Sequence, residues 1–72
     1  MSDTLTKEEA GKIHGQALAR VMRHGLAVTI LMDAWRSTGY SFDRGTNPTK
    51  KEAALFALLV DATCASAVGA GA

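Results

Sequence analysis

At 72 residues the chain is long enough for one small domain (residues 1–72), and a domain of that size buries only about 60% of the surface that its unfolded chain exposes. Its formal net charge is +1, which excludes the strong basic excess typical of nonspecific nucleic-acid binding. The single cysteine, Cys64, excludes an intrachain disulfide and indicates a buried thiol in a reducing compartment. We find no secretory signal pattern and no apolar run long enough to span a membrane, so the sequence predicts a cytoplasmic protein without membrane contact.

The first predicted helix begins at Lys7, because Thr6 and Glu9 have the spacing of a capping box. Residues 1–5 before it are expected to form a flexible arm. Apolar residues then recur at helical spacing from Ile13 to Trp35. The polar residues expected on the opposite side are Lys12, Gln16, Arg20 and Arg23.

Gly25 leaves two interpretations of this segment open. Arg23 and His24 followed by glycine are typical of a helix C-terminus. However, no turn residues follow Gly25 and the apolar spacing continues through it, so we favour one long helix over residues 7–38 with a possible kink. An internal glycine costs a helix only about 1 kcal/mol relative to alanine, which packing can offset.

Residues 37–48 form a predicted loop, since glycines, Asn47 and Pro48 interrupt the helical pattern there. Tyr40 and Phe42 alternate within it. We expect these two aromatic side chains to fold back over the open end of the helices, with a binding role as the alternative.

The second helix is predicted to begin near Lys50, where Thr49 and Glu52 repeat the capping-box spacing, and to fray over residues 69–72. Residues 53–60 have no polar face, so one partner helix cannot cover them. The sequence therefore predicts an all-α fold, an antiparallel helical hairpin that associates with itself into an oligomeric bundle. The residues expected at that interface are Leu55, Leu58, Leu59 and Ala62.

Titratable residues inside the apolar runs need partners. We expect Asp61 to contact His24 across the hairpin and Asp33 to pair with Arg36 one helical turn later. His14 and His24 lack the further ligands that a metal site needs, so packed, hydrogen-bonded histidines are favoured over a metal. No nucleophile, base and cleft pattern is present, and we predict neither catalytic residues nor a cofactor.

Two functions from different classes follow from these patterns. The favoured one is a non-enzymatic interaction protein that binds a larger protein and modulates or inhibits it, as phage-encoded regulators of host machinery do, with contacts from Lys12, Gln16, Arg20 and Arg23 or from the loop. The alternative is an oligomeric sponge or sensor for an anionic small molecule, such as a nucleotide, bound at the basic loop. The residues of that candidate anion site are Arg36, Tyr40, Phe42, Arg44, Lys50 and Lys51.

Overall fold

Three α-helices form the fold in a computed structural model that describes residues 3–71, with side-chain surroundings for residues 3–66. Helix α1 spans Lys7–Arg23, α2 spans Thr29–Ser37 and α3 spans Lys50–Gly71, with a 3₁₀ turn at Phe42–Arg44 before α3. The all-α class is confirmed. No helix among the described residues is long and apolar enough to cross a bilayer.

Both predicted capping boxes are present. The Glu9 amide donates to Thr6 Oγ1 at 3.1 Å, and the Thr6 amide donates to the Glu9 carboxylate at 3.0 Å. The same reciprocal pair joins Thr49 and Glu52 at the start of α3, at 2.9 and 3.1 Å. Accepting the Thr6 amide lowers the pKa of Glu9 from its ordinary value.

Helix α1 ends at Arg23, two residues before Gly25, and the prediction of one continuous helix to residue 38 is wrong. Gly25 is left-handed, with φ of +68°. Its amide donates to the Met22 carbonyl and the Leu26 amide to the Val21 carbonyl, both at 3.0 Å, which is the Schellman pattern of helix termination. These two bonds satisfy the carbonyls of Val21 and Met22, which in a continuous helix would accept hydrogen bonds from the amides of the following turn.

The break changes the orientation of the helices, so the predicted antiparallel hairpin is also wrong. Leu5 just before α1 bonds to Pro48 just before α3, and Arg20 late in α1 pairs with Asp61 late in α3. Helices α1 and α3 therefore run parallel. The stack of Trp35 on Phe56 joins the end of α2 to the first part of α3, so α2 runs antiparallel to α3 and to α1.

Residues 3–5 are a docked segment, not the predicted flexible arm. The Leu5 amide donates to the Pro48 carbonyl at 2.9 Å, and the Lys50 amide donates to the Asp3 carbonyl at 2.8 Å. Thr4 and Thr49 form an isolated antiparallel bridge. The side chain of Leu5 is only 6% exposed, so burial of this leucine holds the segment in place. Residues 1 and 2 lie outside the described part.

The C-terminal end also differs from the expectation. Helix α3 continues through residues 69–71 to Gly71, where a frayed tail was predicted, and residue 72 lies outside the described part. Glycine lowers helix propensity, but i to i−4 hydrogen bonds can continue through it at a cost of about 1 kcal/mol per residue.

The core lies where the three helices meet. The rings of Trp35 and Phe56 stack with centroids 3.9 Å apart and planes 6° apart. Tyr40 is buried against Trp35, at 5.3 Å between centroids, which confirms the expectation for this loop aromatic, whereas Phe42, expected to do the same, is 52% exposed. Cys64 is buried, as predicted.

Candidate functional site

A groove lies between α1 and α3 on the side of this helix pair that α2 does not occupy. Its volume is about 750 Å³, and no residue of α2 lines it. Small and apolar side chains form most of its surface: Ile13, Ala17, Ala19, Ala53, Ala54, Ala57 and Val60. Ala19, Ala54 and Ala57 are exposed along this channel, whereas Ala17, Ala53 and Val60 are buried beneath it; we call it the α1/α3 groove.

Charged residues line the rim of the groove. Arg20 forms an ion pair with Asp61, so the predicted contact between Asp61 and His24 is wrong. The parallel course of α1 and α3 is the reason, since it brings the late part of each helix to the same level. Glu9, Arg23 and Lys50 also line the groove; none of the three forms an ion pair within residues 3–66, but the charge of Lys50 contributes to the lowered pKa of Glu9.

Asp33 does not pair with Arg36 as expected. Both side chains are exposed, and no ion pair or hydrogen bond joins them in the described residues. Water satisfies a carboxylate at that position, which removes the need for a partner that the sequence argument assumed. His24 is likewise exposed, as the C-cap residue of α1, and is not the packed histidine that was predicted.

The residues predicted to bind a partner divide between the groove and the open surface. Gln16, Arg20 and Arg23 line the α1/α3 groove, whereas Lys12 is exposed elsewhere on α1. Sequence reasoning missed that Ala19 on α1 and Ala54 and Ala57 on α3 line the same groove. The small residues on the two helices could have indicated this groove. Recognising it, however, would have required knowing that α1 and α3 are parallel.

The outward side of α3 carries most of the predicted oligomer interface. Leu58 is 65% exposed and Leu55 42% exposed, and Ala62 is exposed beside them. Leu59 instead faces α2, where it lines a small depression with Ile30 and Ala34. The chain's own helices and loop therefore do not shield this part of α3, which we call the outer α3 row (Leu55, Leu58 and Ala62).

The predicted basic-loop site does not come together around Arg44. Its guanidinium donates to both Glu52 carboxylate oxygens, at 3.0 and 2.8 Å, and to Thr46 and the Asn47 carbonyl. It also lies 4.9 Å from the centre of the Tyr40 ring. Arg44, the central cation of the predicted anion site, is therefore already bound to groups of the protein itself.

The bidentate contact has electrostatic consequences for both partners. Hydrogen bonds from Arg44 and then from the Thr49 amide lower the pKa of Glu52 to about 2. The same pair raises the pKa of Arg44. Both groups are therefore ionised at neutral pH, and their function in the fold is to tie the loop to the first turn of α3.

The other predicted loop residues are distributed over different surfaces. Lys50 lines the α1/α3 groove, while Lys51 and Arg36 are exposed on α3 and α2. Tyr40 and Phe42 line a second depression of about 220 Å³, which we call the aromatic cleft. Its remaining lining residues are Lys7, Ala10, Gly11, His14, Trp35, Asn47 and Pro48.

His14 connects the aromatic cleft to the core. Its Nδ1 accepts a hydrogen bond from the Trp35 indole at 3.1 Å, and its ring stacks against Phe56 at 6.3 Å between centroids. The expectation of a packed, hydrogen-bonded histidine is thus confirmed for His14. Within the described residues, no group of three His, Cys, Asp or Glu side chains could hold a metal ion.

Comparisons of this chain with protein-family models, with curated proteins and with solved structures found no match.

Proposed function

We propose that the chain is a non-enzymatic interaction protein that binds a larger protein through the α1/α3 groove and modulates or inhibits it. The observation that supports this function is the open apolar channel of about 750 Å³ on the side of α1 and α3 opposite α2. An apolar surface that the chain leaves open favours a protein partner over water.

A helix is the partner element that fits this groove. Packed helices lie about 8–10 Å apart, and the smaller figure requires small side chains at the contact. Ala19 on α1 and Ala54 and Ala57 on α3 provide exposed small side chains on both walls. A helix of the partner would lie antiparallel to α1 and α3, as α2 does on the other side, with its apolar face inserted between them.

The rim of the groove favours acidic residues beside that apolar face. Arg23 lies near the C-terminal end of α1, where the N-terminus of an antiparallel helix would come to rest. Acidic side chains are favoured in the first turn of a helix, so a partner's Asp or Glu could pair with Arg23 there. At the opposite end Lys50 lines the groove together with Glu9, so the cation of that end already has a carboxylate near it and Arg23 is the cation left for the partner.

Site-specific photocrosslinking in cells that express the protein tests this proposal. A benzophenone amino acid replaces Ala57 in the groove, and the matched control replaces Ala27, which is exposed between α1 and α2. We expect position 57 to form an adduct with one larger protein, position 27 to form none, and Arg23→Glu to reduce the adduct. The same adducts from both positions, or no adduct from position 57, would contradict binding in the groove.

Self-association is a second proposal, favoured by the exposure of the outer α3 row. Leu58 at 65% exposed could pack against the same residue of a second copy in an isologous contact. Sedimentation should then show a mass that rises with protein concentration and stays monomeric in Leu58→Lys. Met22→Lys, which adds the same charge at another exposed apolar position, serves as the control. A wild-type protein that remains monomeric at tens of micromolar would contradict this second proposal.

A further inference from the structure

The aromatic cleft has features that neither the core nor the proposed groove function requires. Phe42 is 52% exposed, yet its ring is held edge-on against Tyr40 at 5.1 Å and 78°. Tyr40 in turn lies against Trp35. The three rings form a fixed aromatic wall with one member left largely open to solvent, an arrangement suited to a flat ligand that stacks or packs edge-on.

Opposite this wall, α1 leaves space for a ligand. Gly11 lines the cleft, and a Cβ atom added there would meet nothing within 4 Å. Because most other residues at this position would project a side chain into that space, glycine keeps the cleft open. A volume of about 220 Å³ is smaller than the roughly 300–1,000 Å³ of pockets for drug-sized ligands, so the cleft limits a ligand to a single ring with a small substituent.

Lys7 and His14 provide donor groups in the cleft. The Trp35 indole can only donate, so His14 Nδ1 must accept, and the proton of the neutral imidazole lies on Nε2. Asn47 donates one amide hydrogen to the Leu5 carbonyl at 3.2 Å, which fixes its nitrogen towards that segment. Lys7 is the only lining residue with an ionised side chain, and no carboxylate lines the cleft.

We propose that the aromatic cleft is a binding site for a single-ring aromatic anion, such as an aromatic carboxylate. The ring lies against Phe42 and Tyr40, and the anionic group faces Lys7 with His14 Nε2 as a further donor. This site is separate from the α1/α3 groove and does not depend on the function proposed for it.

Benzoate is the probe for the test, with benzamide and benzylammonium as the neutral and cationic comparisons. Trp35 is the only tryptophan in the chain and lines the cleft, so its indole N–H resonance and its fluorescence both report occupancy. We expect benzoate to shift the indole resonance in a saturable way, benzamide to bind more weakly, and benzylammonium to give no saturable shift.

Two pairs of variants locate the site. Gly11→Leu fills the cleft, and Gly15→Leu makes the same change one turn later on α1 at a position that does not line it. Both replace a helical glycine that has open space around it, so neither is expected to impair folding. Benzoate binding should be lost in Gly11→Leu and retained in Gly15→Leu.

The second pair tests the charge. Lys7→Gln should weaken benzoate binding by about two- to fivefold, the effect of losing one exposed ion pair, and should abolish the preference over benzamide. Lys12→Gln, an exposed lysine on the same helix, should leave both unchanged. Absence of a saturable shift with benzoate, equal binding to Gly11→Leu and wild type, or equal affinity for benzoate and benzylammonium would each overturn the proposal.

Discussion

Glu52 is the carboxylate that we expect to dominate the acid sensitivity of the fold. It accepts hydrogen bonds from both terminal nitrogens of Arg44, at 3.0 and 2.8 Å, and from the Thr49 amide at 2.9 Å. The first of these causes is the largest, and together they lower its pKa from 4.5 to about 2. The substitution Glu52→Gln keeps the shape of this side chain and removes its charge.

The magnitude follows from the pKa difference and from solvent exposure. Carried over in full, at about 1.4 kcal/mol per pKa unit, a change from 4.5 to about 2 would contribute roughly 3 kcal/mol to the free energy of unfolding. However, the Arg44 side chain is 35% exposed and that of Glu52 15% exposed, so water screens the interaction. We therefore expect Glu52→Gln to lower the free energy of unfolding by about 1–2 kcal/mol at pH 7.

The pH dependence has a definite sign. Because the pKa of Glu52 is lower in the folded state, its stabilising contribution is fully present above 4.5, the ordinary value, and is lost as the pH falls towards about 2. Urea unfolding followed by circular dichroism at several pH values between these limits measures this loss. Wild type should lose stability across the window, and Glu52→Gln should lose less.

Glu8→Gln is the matched control, since it removes an acid from the first turn of α1 that forms no ion pair in the described residues. Its effect should stay near the few tenths of a kcal/mol that a helix dipole contributes at an exposed position. Parallel pH profiles for wild type and Glu52→Gln, or an equal loss in Glu8→Gln, would refute the assignment to the contact with Arg44.

Three further variants test the fold by chemical denaturation. Gly25→Ala should lower the free energy of unfolding by about 1–2 kcal/mol, because φ is +68° there and the added Cβ meets nothing to offset the strain; Gly15→Ala, inside α1, should be neutral or stabilising. Leu5→Ala should cost about 2 kcal/mol if residues 3–5 are docked, and almost nothing if they form a free arm. Trp35→Phe should cost at least about 1 kcal/mol because it leaves His14 Nδ1 without its donor, and unchanged stability would contradict that hydrogen bond.

Local sequence patterns predicted the helix starts well. Thr6 with Glu9 and Thr49 with Glu52 form the hydrogen bonds that their spacing indicates, since a capping box involves only four consecutive residues. The apolar composition of residues 53–60 also predicted that part of α3 would stay exposed. Leu58 remains exposed because no side of residues 53–60 is polar and the other two helices cover only part of it.

The arrangement in space could not be predicted in the same way. The sequence contained the terminal signal at Gly25, but apolar spacing on both sides of it was consistent with one helix or two. Once α1 ends there, α2 reverses the chain and α1 and α3 become parallel, which determines the partner of Asp61. Thus the backbone conformation at Gly25, which the sequence left open, determines which residues of α1 and α3 are in contact.

The candidate sites depended even more on tertiary structure. Arg44 and Glu52 are eight positions apart, and only the 3₁₀ turn at Phe42–Arg44 brings the guanidinium back to the first turn of α3. Similarly, Gly11 and Phe42 line one cleft although they belong to different elements. Helical periodicity gives no information about such pairs.

The parallel course of α1 and α3 has a kinetic consequence. The link between Arg20 and Asp61 requires the closure of a long loop, whose entropy must be lost before any contact forms, whereas α2 and α3 are neighbours in the chain. Since α1 and α2 are also neighbours in the chain, we expect the contacts of α2 with α1 and α3 to form early and those between α1 and α3 to form after the rate-limiting barrier. Weakening the seam between α1 and α3 would then shorten the lifetime of the native state while leaving the refolding rate almost unchanged.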